Sequence, residues 1–158
     1  MTIDRRKMLV GGTLLSMLAS AGVSVRASAA PPTAAPAGLM QVLHIHVGPD
    51  GKSQAKVVKV YGGKKTIPAV AVETGAIGPG DGRWGNPPSK RFTVNTVGDL
   101  EAELGDGTKH LIGKGDLVFI EDLTGTGHFT RFVTAVANIF IVVADDFDLV
   151  AWAGQPPA

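Results

Sequence analysis

The sequence predicts an all-β domain of about eight to ten short antiparallel strands, closed as a jelly roll or barrel. Three observations predict it. β-rich runs of a few residues recur at short, even spacing, glycine-containing turns separate them, and no stretch beyond residue 29 sustains helical periodicity. Residues 41–47 form the first strand and turn at Gly48-Pro49-Asp50-Gly51. Residues 56–60 follow with clean alternation. Residues 66–73 read as a strand in which Pro68, lacking an N–H, calls for an edge or a bulge. A Gly/Pro-rich loop at 75–88 leads into a meander of strands at 91–97, 100–104, 108–112 and 117–120. Its turns are Gly98-Asp99, Gly105-Asp106-Gly107 and residues 113–116, and Asp-Gly between alternating runs is a strong hairpin signal because glycine takes positive φ freely. Residues 129–136 and 138–143 continue the pattern. The unbroken apolar run 139–143 is expected to be buried on both faces, and a last apolar piece spans 149–152.

The first 29 residues carry an address. Asp4-Arg5-Arg6-Lys7 stands ahead of a weakly apolar run from Met8 to Val25, then Arg26 and the small-residue cleavage site Ala27-Ser28-Ala29. This resembles a twin-arginine export signal and implies a periplasmic or secreted protein. The competing reading is an uncleaved membrane anchor, against which Gly11, Gly12, Thr13 and Ser16 dilute the hydrophobicity. Residues 30–39 form a Pro/Ala-rich linker, and residues 40–158 form the barrel domain. The signal holds four of the 15 basic side chains and one of the 14 acidic ones, so the remainder is net −2. A nucleic-acid partner, which needs a basic face, is disfavoured, and no membrane partner is expected once the signal is removed. Cysteine is absent, so disulfides, cysteine zinc sites and thiol nucleophiles are excluded.

Within the meander the spacing Gly78, five residues, Trp84, one, Asn86, four, Arg91, six, Gly98 resembles the frame of the first cupin motif. In that motif two histidines and a glutamate stand where Trp84, Asn86 and Arg91 stand here. Downstream, Gly115 to Arg131 resembles the second cupin motif with a two-residue insertion, and it is similar to small bacterial cupins carrying an E-D-x-T-G-x-G-H-x-T-R run. His128 keeps that motif's histidine. The resemblance implies a cupin-like double-stranded β-helix, a small-molecule ligand and a homodimer; fold alone does not decide activity.

Candidate sites follow from residue types. His128 would point into the barrel, where a neutral imidazole acts as general acid or base; the bland alternative is a satisfied wall residue. Glu121 or Asp122 could orient it, but neighbours on a strand face opposite ways, so at most one points inward. Arg91 stands where the cupin glutamate would bind metal. At an effective dielectric of about 20 a cation about 4 Å from a divalent ion is repelled by about 8 kcal/mol, so a metal at the usual cupin centre is disfavoured and no cofactor is expected. An inward Arg91 favours a carboxylate or phosphate, with Trp84 as apolar wall and Asn86 as hydrogen-bonding handle. The alternative pairs Arg91 with Glu121 or Asp122 or leaves it at the rim. Lys90 and Arg131 read as surface charges. His44 and His46, two apart on one strand face, are the fallback metal pair, with Glu73, Glu121, Asp122 or His128 as third ligand. Two functions compete: a module binding a small polar or anionic molecule through Trp84, Asn86, Arg91 and His128, or a cupin enzyme (isomerase, lyase or metal-dependent oxygenase) using His128.

Overall fold

Asp106-Gly107 turns the chain between β6 (Leu100–Leu104) and β7 (Lys109–Ile112), and Gly107 supplies the positive φ of 85° that this tight turn needs. That hairpin is the tip of a long two-stranded strip. Moving away from it, β5 (Arg91–Val97) pairs antiparallel with β8 (Leu117–Ile120), β4 (Gly80–Asp81) with β9 (His128–Phe132), and β3 (Ala69–Ile77) with β10 (Val136–Val143). The strip winds on itself, so β10 also pairs with β5 and β9 with β6. The result, in a computed structural model that describes residues 40–156, is the all-β, cupin-like jelly roll. The export signal read in residues 1–29 and the linker at 30–39 lie outside the described residues.

Two sheets form. One has the order β4-β9-β6-β7; the other has the order β2-β1-β8-β5-β10-β3 and includes β1 (Met40–Val47) and β2 (Ser53–Val60). Among the described residues the ten strands fall within the expected number, with one exception to antiparallel pairing: β1 joins β8 in parallel. β1 precedes the wound strip and is added to its edge, so no hairpin dictates its direction. β3 begins at Ala69, because Pro68 cannot donate to the ladder. It closes the sheet as an edge strand, exposed along nearly its whole length.

Alternation along the central strands separates two cores. Ile45, Leu100, Ala102, Leu104, Ile112, Val118 and Val136 pack between the sheets. Val42, Phe92, Phe119 and Val143 pack on the outer face of the larger sheet, beneath Leu149 and Ala153 of a short helix, α1 (Leu149–Ala153). The Phe92 and Phe119 rings, 4.8 Å apart and fully buried, each contribute about 1.5–3 kcal/mol by leaving water. α1 replaces what the sequence displays only as an apolar piece. Five residues are too few to show periodicity; the helix starts because Asp148 accepts hydrogen bonds from Val150 N (2.8 Å) and Ala151 N (3.0 Å). The run 139–143, expected to be buried on both faces, is buried only at Val143, because β10 lies beside the exposed β3, where α1 does not cover the sheet.

Ser53 ties the roll to its loops. Fully buried, its hydroxyl donates to Gly127 O (2.5 Å) and accepts from Gly105 N (2.6 Å), while its own N–H donates to Thr126 Oγ1 (3.1 Å). Ser53→Ala leaves a buried carbonyl and N–H without their partner, so the unfolding free energy should fall by about 1–3 kcal/mol. Urea denaturation checks this; an unchanged midpoint would show that the three-way junction contributes nothing.

Candidate functional site

The two-residue period of a strand sends alternate side chains of β5 to opposite faces. Phe92 joins the outer core, while Arg91 and Thr93 face the space between the sheets, where Asn138 and Phe140 of β10 join them. With Ile45, Val118 and Ile120 on the same wall, and Leu100, Ala102, His128, Thr130 and Phe132 opposite, they enclose a cavity of about 320 Å³. Ile77, Arg83, Trp84 and Asn86 stand at its margin. Its walls are largely apolar, and its polar groups are few.

His128 enters β9 from a tightly clamped turn. Its backbone exchanges hydrogen bonds with Gly85, each of 3.1 Å. Gly127 has φ 64°, and a Cβ there would strike the Gly85 carbonyl, so only glycine permits this approach. Asn86 Nδ2 donates to Asp122 O (2.6 Å) and Thr124 O (2.9 Å), holding the other end of the loop. Within that frame His128 Nδ1 lies 2.8 Å from Oδ2 of Asp122, whose side chain is completely buried. Asp122 is therefore the carboxylate beside His128.

Glu121 is not. One residue earlier in the chain, it faces the outer side of the sheet, with Oε1 2.5 Å from His44 Nε2 and Oε2 3.4 Å from Lys90 Nζ. Of the two carboxylates that could orient His128, Glu121, the catalytic candidate, does not reach it, because neighbouring residues point opposite ways. Burial opposes the Glu121 charge, yet the His44 hydrogen bond and the charges of His44 and Lys90 outweigh it and hold its pKa below the ordinary value. Lys90, read from sequence as a surface charge, is mostly buried and also donates to Phe147 O.

Arg91 lines the cavity with its guanidinium 5.5 Å from the Phe140 ring. Its partners are neither Glu121 nor Asp122. Nε donates to Ser89 O (3.3 Å), Nη2 donates to Ser89 Oγ (2.9 Å), and Nη1 is 3.7 Å from Glu73. Trp84 is half-exposed beside Phe129, ring centroids 6.1 Å apart, and forms part of the rim. Asn86, expected as a ligand handle, has its amide nitrogen engaged by the loop carbonyls. Arg131 pairs with Asp81 at 2.8 Å on the surface.

His44 and His46 share a face, ring centroids 4.9 Å apart, but it is the outer face of the sheet, away from His128. His44 is buried against Phe119, and its Nδ1 has no partner. Among the described residues no group of three or more His, Cys, Asp or Glu side chains converges to hold a metal ion. The cavity lining offers a cation one imidazole, His128, while the Arg83 and Arg91 guanidinium groups and the Trp84 indole bring no lone pairs to it.

Thr93 and Asn138 went unnoticed in the sequence. Both line the cavity, both are 6% exposed, and Thr93 Oγ1 and Asn138 Oδ1 are buried without a hydrogen-bond partner. Arg91, Thr93 and Asn95 alternate with Phe92 and Val94, so the polar stripe on the inner face was available as a signal.

No protein-family model matches the chain, and no curated protein matches it by sequence. Among solved structures it is similar to protein NMB1881 from Neisseria meningitidis, with 18% identity and a TM-score of 0.40 over 55% of this chain and 89% of that one. It is also similar to a Salmonella typhimurium LT2 protein described as an ethanolamine utilization protein Q, with 13% identity and a TM-score of 0.34 over 71% of this chain and 100% of that one. At these values the fold rests on this chain's own strand pairing.

The depressed Glu121 pKa makes the outer cluster acid-sensitive. A carboxyl that titrates lower in the folded chain than at its unfolded value of about 4.3 adds stability above that pH, and the contribution disappears as pH falls through the folded value. Glu121→Gln should therefore flatten the loss of thermal midpoint between about pH 5 and pH 3. Thermal unfolding across that range is the measurement, and an acid limb identical to wild type would refute the assignment.

Proposed function

We propose that the barrel binds a small molecule with an apolar body and an anionic group, and that the protein does so after export. One observation carries the binding reading. The Arg91 guanidinium and the His128 imidazole line one cavity whose walls are otherwise largely apolar, with Thr93, Asn138 and Thr130 among its few polar residues. Arg91 supports an anion because Ser89 holds two of its five N–H groups and Glu73 stands 3.7 Å from Nη1, which leaves donors for a carboxylate or phosphate. The apolar walls favour a carbon body over a highly hydrated ion.

The partners we infer are this small molecule and a second copy of the chain along the edge of β3, where Val70 and Val72 are 65% and 64% exposed beside unpaired backbone. The twin-arginine pattern supports export, with a mature chain beginning near Ala30. Replacing Arg5 and Arg6 with lysine should retain the protein in the cytoplasm. N-terminal sequencing of the wild-type periplasmic fraction checks the cleavage, and an intact Met1 in the membrane fraction would contradict it.

Acetate, pyruvate and inorganic phosphate are suitable anionic probes. At least one should raise the thermal midpoint in a concentration-dependent manner, approaching about 2.7 kcal/mol of stabilisation at a hundredfold excess over its Kd. Arg91→Ala should weaken that probe about tenfold or more through the lost charge-assisted bonds. An Arg91→Ala protein with the wild-type anion response would remove Arg91 from the site.

A further inference from the structure

We infer that the barrel is a proton-transfer catalyst, with His128 as the base, Asp122 as its positioning residue and a small 2-oxo carboxylate as substrate class. This rests on the anion-binding reading. Its own foundation is the geometry around His128.

Asp122 is completely buried and does not line the cavity, whereas His128 does. The ring therefore meets Asp122 through Nδ1, at 2.8 Å, and meets the cavity through its other side. A carboxylate only accepts, so the proton of a neutral imidazole resides on Nδ1 and the lone pair is on Nε2. Nε2 has no protein partner among the described residues. The other oxygen of Asp122 is also buried without a partner, which leaves His128 as the one side chain among the described residues that hydrogen-bonds this carboxylate. A wall histidine serving packing alone has no need of a buried carboxylate, since a backbone carbonyl would orient it. A histidine whose ring must accept and return a proton does, because the carboxylate stabilises the imidazolium that forms.

The remaining groups suit an enolisation. Arg91 takes the substrate carboxylate, and the donors that Ser89 does not hold serve the carbonyl oxygen that gains charge. In the step, Nε2 takes a proton from the carbon next to the 2-oxo group. The C–H electron pair becomes the C=C bond, and the carbonyl π pair moves to oxygen. Nε2–H then returns a proton to carbon, so no oxidant, reductant or second substrate is consumed.

The experiment incubates the full-length mature protein with pyruvate in D₂O and follows the methyl signal by proton NMR, with thermal midpoints measured in the same buffers. Wild type should exchange deuterium into the methyl group at least about tenfold faster than buffer, within the range of general-base catalysis. His128→Gln should exchange at the buffer rate while pyruvate still raises its midpoint, and added imidazole should restore exchange to His128→Ala. Asp122→Asn should lower kcat about tenfold or more with KM little changed, a split that a purely structural role would not produce. If Asp122→Asn does not fold, Asp122→Glu, which keeps the carboxylate, should retain exchange above that of His128→Gln. A midpoint rise without exchange overturns the catalytic inference and leaves the binding reading intact. Absence of the exchange overturns the catalytic inference, the binding reading falls with it only if acetate, pyruvate and phosphate all leave the midpoint unchanged, and wild-type exchange in His128→Gln removes His128 as the base.

Discussion

The register of β5 between β8 and β10 is the constraint on which the remaining structure depends. Arg91 is opposite Ile120 on one side and Val142 on the other, and this places Phe92 in the outer core and Thr93 in the cavity wall. A one-residue slip would turn Phe92 into the barrel and move Arg91 and Thr93 into the aromatic cluster beneath α1. The hydrophobic loss and the buried charge would both oppose it. The cavity is thus polar at a few chosen points because the outer core holds the phenylalanines in place.

The same alternation separates two adjacent carboxylates into two environments. Glu121 goes outward to His44 and Lys90, and Asp122 goes inward of the loop to His128. Each carboxylate meets a histidine, and the consequences differ. The outer cluster lies under residues 146–150, where its hydrogen bond and charges hold the Glu121 pKa down. In the inner pair His128 lines the cavity, and Asp122 is buried behind it. Asn86 and Gly127 maintain this separation by fixing both ends of the loop that carries Asp122.

The residues at the mouth and wall set the charge character of the cavity. Arg91 introduces a positive charge, Trp84 an apolar rim, and Asn86 an amide engaged in loop structure. A guanidinium in the wall favours an anion over a cation.

The strands, their turns and the all-β class were legible in the sequence because period-two alternation and Asp-Gly turns are local properties. Strand bounds at 91–97, 100–104 and 117–120 come directly from that pattern. So did the unusual residues at 84, 86 and 91, since a residue type does not need a partner to be read. What local pattern does not encode is which carboxylate meets which histidine: Glu121 and His44 are 77 residues apart, and Glu73 reaches Arg91 across two strand pairings. Thr93 and Asn138 became a pair of unpartnered groups only when winding the strip brought their strands together around one cavity. The sequence by itself determined that the chain would alternate, turn and carry an arginine at position 91. Tertiary structure alone decided which face each polar group occupies, because that follows from strand register, and register is set by the whole hydrophobic core at once.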